Sequence, residues 1–193
     1  MRIAHVTRQF TPAVGGLENV VHNLAKAQAS TGHQVRVITL NRTFSNPTAL
    51  LPEHDNIDGI EVVRIPFWGS RRYPIAPTVL RHLKGADVVH VHAIDFFFDF
   101  LAITSFIHRR PLVVTPHGGF FHTRFAAQLK KLYFHTVTRA LITAYRAVIN
   151  VSRHDHELFQ RIRARQLIGR RPLLRRTSRR QALERISIDW NHL

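Results

Sequence analysis

Hydrophobic and polar positions alternate in blocks along the chain. Arg2–Thr7 reads as a strand, followed by a loop over 8–16. From Leu17 to Ser30, residues Leu17, Val20, Val21, Leu24, Ala25 and Gln28 fall near i, i+3, i+4, i+7 spacing. Five of these six are apolar, which predicts an amphipathic helix. Gly32 follows it as a natural C′ residue. Gln34–Leu40 predicts a second strand and Ile60–Phe67 a third, separated by a polar connection over 41–59. Trp68–Tyr73 reads as a basic aromatic loop, and Pro77–Leu83 as a short helix. Asp87–Ala93, Leu112–Thr115 and Ala147–Val151 supply three more strands. Asp95–His108 and Phe125–Arg146 read as the helices between them, and Ser152 opens another that runs to Ile162.

Strands alternating with helices at this spacing indicate βαβ units and a parallel sheet. Several strands are continuous apolar runs, as burial on both faces requires. The expected fold is a doubly wound, mostly parallel α/β sheet of Rossmann-like type. In such sheets ligands sit beyond the carboxyl ends of the strands, so residues just after strands are the candidates for chemistry.

Gly15 and Gly16 open the first helix, where backbone N–H groups can approach an anion. The same pair also suits a plain strand-to-helix turn. No G-x-G-x-x-G fingerprint is present, which disfavours a dinucleotide site. Glu18 lies in the first helical turn and suits the helix dipole. His90 and His92 alternate along a strand and share a face. A metal there needs a third ligand such as His117, and no carboxylate completes a recognisable spacing. His117, in TPHGG, ends a buried strand and faces the expected crevice with two glycines after it. Function and a capped turn are both open for it from position alone.

Composition bounds the reading. The chain has 193 residues, 45% of them hydrophobic, and no cysteine. Disulfide scaffolds, thiolate zinc sites and cysteine nucleophiles are excluded. No secretory signal pattern is visible at the N-terminus, and Asp95 and Asp99 interrupt the longest apolar stretch. A cytoplasmic protein is expected, with peripheral contact to the inner face of the plasma membrane as an extension.

Lys and Arg number 28 against 12 Asp and Glu, a formal charge of +16. Residues 161–193 carry ten Arg against Glu184 and Asp189, so half the net charge lies there. That tail invites a nucleic-acid or lipid reading. No helix-turn-helix, zinc finger or RNA-binding signature accompanies it, which disfavours nucleic acid. Its abrupt, lysine-free composition is equally that of a frameshifted or disordered segment. The expected division is a domain over 1–162 and an Arg-rich tail over 163–193.

Taken in order, FTPAVGGLE at 10–18, HVHA at 90–93, TPHGGF at 115–120 and AVINVS at 147–152 resemble the N-terminal domain of retaining GT-B glycosyltransferases of family 4. Within the family the chain is most similar to bacterial exopolysaccharide mannosyltransferases. The resemblance implies hexosyl, in particular mannosyl, transfer from a nucleotide-sugar, GDP-mannose or a UDP-sugar, to a polyprenyl-diphosphate-linked acceptor. It implies no cofactor and no essential metal. Gly15, Gly16 and Gly118 would bind the donor, and His117 would act on the transferred sugar. Glu18, Arg71, Arg72, Tyr73, His92 and Asp95 would lie on the acceptor side. Arg124, Lys130 and Lys131 would meet the inner membrane surface. Family members carry a second Rossmann-like domain that binds the nucleotide. Its absence here leads us to expect a truncated chain, inactive alone, or half of a split enzyme whose second domain is a separate chain. A non-catalytic basic binding module is the alternative.

Overall fold

The computed structural model describes residues 1–117, 132–150 and Phe159. These belong to one compact unit, Met1–Ile162. A seven-stranded sheet forms its centre, in the order β3-β4-β2-β1-β7-β8-β9. The strands are β1 (Arg2–Val6), β2 (Gln34–Leu40), β3 (His54–Ile57), β4 (Ile60–Ile65), β7 (Val88–His92), β8 (Leu112–Thr115) and β9 (Tyr145–Val148). All neighbours are parallel except β3, which runs antiparallel to β4. Without β3, the parallel strands lie in the order third, second, first, fourth, fifth, sixth. This is the doubly wound Rossmann-like order, and its switch point falls between β1 and β7.

The alternation of side chains divides the core by sheet face. Ala4, Val6, Ile38, Leu40, Val89, Val91 and Val114 point to one face. They pack there with α2 (Val79–His82), α3 (Phe96–Ile103) and the helical segment near Phe134. Val35, Val37 and Val62 point to the other face, under Val21 and Ala25 of α1 (Gly16–Ser30). The apolar stripe read from the sequence is the buried side of α1, with Val21, Leu24, Ala25 and Gln28 all inside.

Four expectations need correction. The 41–59 connection contains β3, whose exposed, polar His-Asp-Asn-Ile sequence gives no hydrophobic signal. It forms because Asp58 and Gly59, both at positive φ, turn the chain back into β4. The Trp68–Tyr73 loop is a hairpin, β5 (Trp68–Ser70) against β6 (Tyr73–Ile75). The helix expected over 95–108 divides at Thr104 into α3 and α4 (Ser105–His108). The Thr104 hydroxyl bonds back to Phe100 O at 2.6 Å, an internal competition with the helical ladder.

The fourth correction concerns the last helix and strand. Among the described residues the helix passes through a π-helical turn, Phe134–Thr138, then α5 (Arg139–Leu141) and a 3-10 turn, Ile142–Ala144. It stops short of Arg146 because Tyr145 already belongs to β9. The Tyr145 ring stacks on Phe98 at 4.7 Å, and its hydroxyl donates to Phe98 O. That aromatic anchor sets the strand two residues earlier than the apolar run suggests. Of the helix expected over 152–162 only Phe159 is described, helical and packed edge-on against Phe134, and the 163–193 tail lies outside the described residues.

Candidate functional site

Four segments leave the carboxyl ends of strands on one side of the sheet. They are the loop after β1, the Ala93–Asp95 turn after β7, the end of β8 at His117, and the β5–β6 hairpin after β4. The loop after β1 leads into the N-terminus of α1.

A row of histidines crosses the switch point. His5 on β1 lies in register with His90 on β7, and His92 follows two residues later on the same face. All three are buried. Their rings cluster, with centroids 5.2 Å apart for His5 with either neighbour and 4.2 Å for His90 with His92. Each nitrogen pairing is close: Gln28 Oε1 to His5 Nε2 at 2.7 Å, His5 Nδ1 to His92 Nε2 at 2.9 Å, and His92 Nδ1 to His117 Nε2 at 3.0 Å. His90 Nε2 meets Thr115 Oγ1 at 2.7 Å.

Burial removes water from the charged form and holds these rings neutral. It lowers His5 to about 4, despite the opposing bond to Gln28. His90 and His92 are held well below the ordinary imidazole value, first by burial and then by their histidine neighbours.

The cluster also bears on metal binding. Among the described residues, His5, His90 and His92 bring one ring nitrogen each within 4.8 Å of one another. The third member is therefore His5, where the sequence suggested His117. Neutral imidazoles suit zinc in kind. The facing nitrogens of His5 and His92 lie at hydrogen-bond distance, 2.9 Å, so a metal held here would replace that hydrogen bond.

His117 is half-buried and its backbone has φ 55°. Ala93, across on the end of β7, has φ 77°, and its N–H donates to Thr115 O at 2.8 Å. Left-handed backbone at non-glycine residues costs about 1–3 kcal/mol, and such strain gathers at functional sites.

Asp95 is buried and paired at both oxygens, one by a hydrogen bond and one by an ion pair. Its Oδ1 accepts from Phe97 N at 2.9 Å and caps α3, while Oδ2 pairs with Arg8 Nε at 2.9 Å without the alignment of a hydrogen bond. Burial pushes it up to about 6, and Arg8 opposes that rise. Arg8 keeps 30% of its side chain exposed against 1% for Asp95, so the cation is the part of the pair that meets solvent.

The hairpin places Arg71 and Arg72 at its exposed turn. Tyr73 packs edge-on against Phe96, with centroids 5.8 Å apart, which brings the hairpin to the start of α3. The hydroxyls of Tyr73 and Tyr133 both donate to Asp99 Oδ2, the former at 2.7 Å. Burial raises Asp99, and these two hydrogen bonds oppose the rise.

At the α1 terminus, Gly15 is the N-cap in extended backbone and Gly16 the first helical residue. The Glu18 carboxylate lies over Gly15, in the space a Cβ would occupy. The space around Gly16 is open to 4 Å. A side-chain Cβ would thus fit at Gly16 and meet the Glu18 carboxylate at Gly15. Gly118, Arg124, Lys130 and Lys131 lie outside the described residues.

Sequence reasoning did not single out His5, Arg8, Gln28 or Asp99. His5 has the same strand-alternation relation to His90 and His92 that those two have to each other, but only the β1–β7 register reveals it. Gln28 sat on the apolar stripe of α1 as its one polar member, which was the available signal.

Comparisons with known proteins show the family and the fold. Residues 14–168 match the family model described as Glycosyltransferase Family 4. The chain is 47% identical over 163 residues to the GDP-mannose:cellobiosyl-diphosphopolyprenol alpha-mannosyltransferase of Xanthomonas campestris, covering 84% of this chain and 43% of that protein. It is 45% identical over 169 residues to the protein of the same name from Komagataeibacter xylinus, covering 87% and 43%. The chain thus spans less than half the length of these curated relatives. The fold is similar to that of a sucrose-phosphate synthase from Thermosynechococcus elongatus, with a TM-score of 0.56 at 17% identity over 83% of this chain and 44% of that one. On the family match over residues 14–168, most of its length, the chain belongs to glycosyltransferase family 4.

Proposed function

We propose that this domain forms the acceptor-side wall of a mannosyltransferase cleft, with GDP-mannose as donor and a cellobiosyl-diphosphopolyprenol as acceptor. The observation that carries the reading is the meeting of His117 with His92 at the carboxyl ends of β8 and β7, at 3.0 Å. The identities of the two relatives' named substrates support the choice of donor and acceptor.

In this reading His117 contacts the transferred sugar, while Gly16 and the α1 N-terminus face the donor diphosphate. Gly15 joins them when Glu18 swings aside, and Gly118 completes the donor side. Arg71, Arg72 and Tyr73 receive the acceptor, with Asp95 acting through Arg8. During transfer the bond from the sugar C1 to the diphosphate oxygen breaks. The acceptor hydroxyl oxygen bonds C1, and its proton passes to the departing phosphate oxygen on the same face, so configuration is retained. The opposite wall of the cleft comes from a second domain, in the same polypeptide or on a separate chain, because transfer needs both substrates held in one geometry. Arg124, Lys130 and Lys131 hold the domain to an anionic inner leaflet, at about 1 kcal/mol per basic residue near the lipid. Among the described residues no helix is long and apolar enough to cross a membrane.

The test is transfer to cellobiosyl-diphosphopolyprenol, measured with this chain alone and with the remaining part of the Xanthomonas campestris relative supplied in trans. Transfer from GDP-mannose, and not from UDP-glucose, is expected with the supplement. Equal use of UDP-glucose would overturn the donor assignment. No transfer in either arm would overturn the reading.

A further inference from the structure

The histidine row is more polar than a sheet core requires. Val35, Val37 and Val62 occupy this face of the neighbouring strands, and valine would fill positions 5, 90 and 92 without a hydrogen-bonding demand. A buried donor or acceptor left unpaired costs about 1–3 kcal/mol, so each imidazole must find a partner. His5 and His92 find theirs along one line. It starts at Gln28, buried in the last turns of α1, and ends at His117 on the rim of the crevice.

A neutral imidazole has one N–H and one lone pair. With Gln28 presenting Oε1, an acceptor, to the row, His5 donates from Nε2 and its Nδ1 accepts. His92 must then donate from Nε2 to His5 Nδ1, and its Nδ1 accepts in turn. His117 must donate from Nε2 to His92 Nδ1. One amide oxygen thereby fixes three tautomers in series. The opposite polarity needs the Gln28 amide to turn its NH2 toward His5 and every proton in the row to change nitrogen with it.

We infer that Gln28, His5 and His92 are positioning residues that lock the ring orientation and the Nε2–H tautomer of His117. The lock makes Nδ1 the acceptor nitrogen of His117, suited to a hydroxyl of the transferred sugar. This use of the lock rests on the reading that His117 contacts that sugar, whereas the tautomer itself does not. The relation parallels the partners that orient histidines in metal and catalytic sites, where the bond at one ring nitrogen decides the state of the other.

The test is long-range proton–nitrogen NMR of the histidine rings in the full 193-residue chain at pH 7.5. Assignment uses single His→Asn variants. His5, His92 and His117 are each expected as the pure Nε2–H form. An Nδ1–H form at His92 or His117, or a cationic ring at either, would overturn the inference. This wild-type spectrum decides even where variants fold poorly. Gln28→Leu removes the acceptor at the buried end, so His117 is expected to lose its single tautomer and show a mixture. Gln28→Glu restores an acceptor and is expected to restore the Nε2–H form at His92 and His117 while His5 stays neutral. A pure Nε2–H signal at His117 in folded Gln28→Leu would also overturn it. None of these readouts depends on turnover. Loss of the tautomer pattern sinks the lock, and unchanged sugar transfer in His117→Ala sinks the functional reading, so the two failures are distinguishable.

Discussion

His92 Nδ1 and His117 Nε2 lie 3.0 Å apart although the strand register pairs His92 with Thr115, two residues before His117. The contact exists because the backbone turns at His117, with φ 55°, and returns the ring to the end of β7. Histidine is among the residues that tolerate this left-handed region. The crevice is thus built from strained turns at the ends of two adjacent strands, and several of its residues can be tested singly.

Ala93 is the other half of that pair of turns. At φ 77° a β-branched side chain clashes with its own carbonyl. Ala93→Val is expected to destabilise the domain by about 1–2 kcal/mol. Ala93→Gly is expected to preserve or raise stability. Urea denaturation of the two variants gives the comparison.

The α1 N-terminus separates stability from function. Gly16 has negative φ and open space for a Cβ, and alanine costs less chain entropy than glycine on folding. Gly16→Ala is expected to stabilise by about 0.4–1 kcal/mol. If the donor diphosphate approaches this backbone, the methyl group weakens donor binding in the same variant. Thermal melts and the KM for donor read the two effects independently.

Tyr73 links the hairpin to α3 through the carboxylate of Asp99. Tyr73→Phe keeps the packing on Phe96 and removes one donor. A hydrogen bond to a charged group contributes about 1.5–3 kcal/mol. Tyr133 still donates to the same oxygen and limits the loss to the lower end of that range. The Asp99 carboxyl, losing one bond that lowers it, is expected to move further upward.

Acid should weaken the domain through its histidines. The folded values of His5, His90 and His92 are all depressed, His5 to about 4. Below pH 6.5 the unfolded chain takes up these protons and the folded chain does not. Stability therefore falls as pH drops from about 6.5 toward 4, by up to about 1.4 kcal/mol per unit for each histidine. Asp95 works the other way. It is raised to about 6, so the folded state binds its proton first and gains stability as pH falls from 6 toward 3.8. Three histidines outweigh the raised Asp95 and Asp99. Urea midpoints at pH 7.5, 6.5 and 5.5 should decline, with the steepest step between the last two.

Much of this was legible in the sequence. The alternation of apolar runs with an amphipathic α1 is local, and local patterns gave the parallel strands, their order along the chain and the crevice side. His117 stood out because it ends a strand, and His90 with His92 because they alternate along one, whereas Asp95 entered only through the family resemblance. What was missed depends on contacts between distant segments. His5 joins His92 across 87 positions, and Gln28 reads as a mere edge of the helix stripe until β1 is placed beneath it. β3 and the β5–β6 hairpin were missed for another reason. Their side chains are mostly exposed, so turns and partner strands create them and hydrophobic period does not.

The most direct test is His117→Ala assayed for transfer from GDP-mannose to cellobiosyl-diphosphopolyprenol, with the complementing domain present. Transfer is expected to fall about 100-fold or more, while circular dichroism keeps the shape of the unsubstituted chain and the urea midpoint falls by no more than the loss of one partner of buried His92 requires, about 1–3 kcal/mol. Transfer within twofold of the unsubstituted chain, in a variant that folds normally, would contradict the placement of the reaction at this crevice.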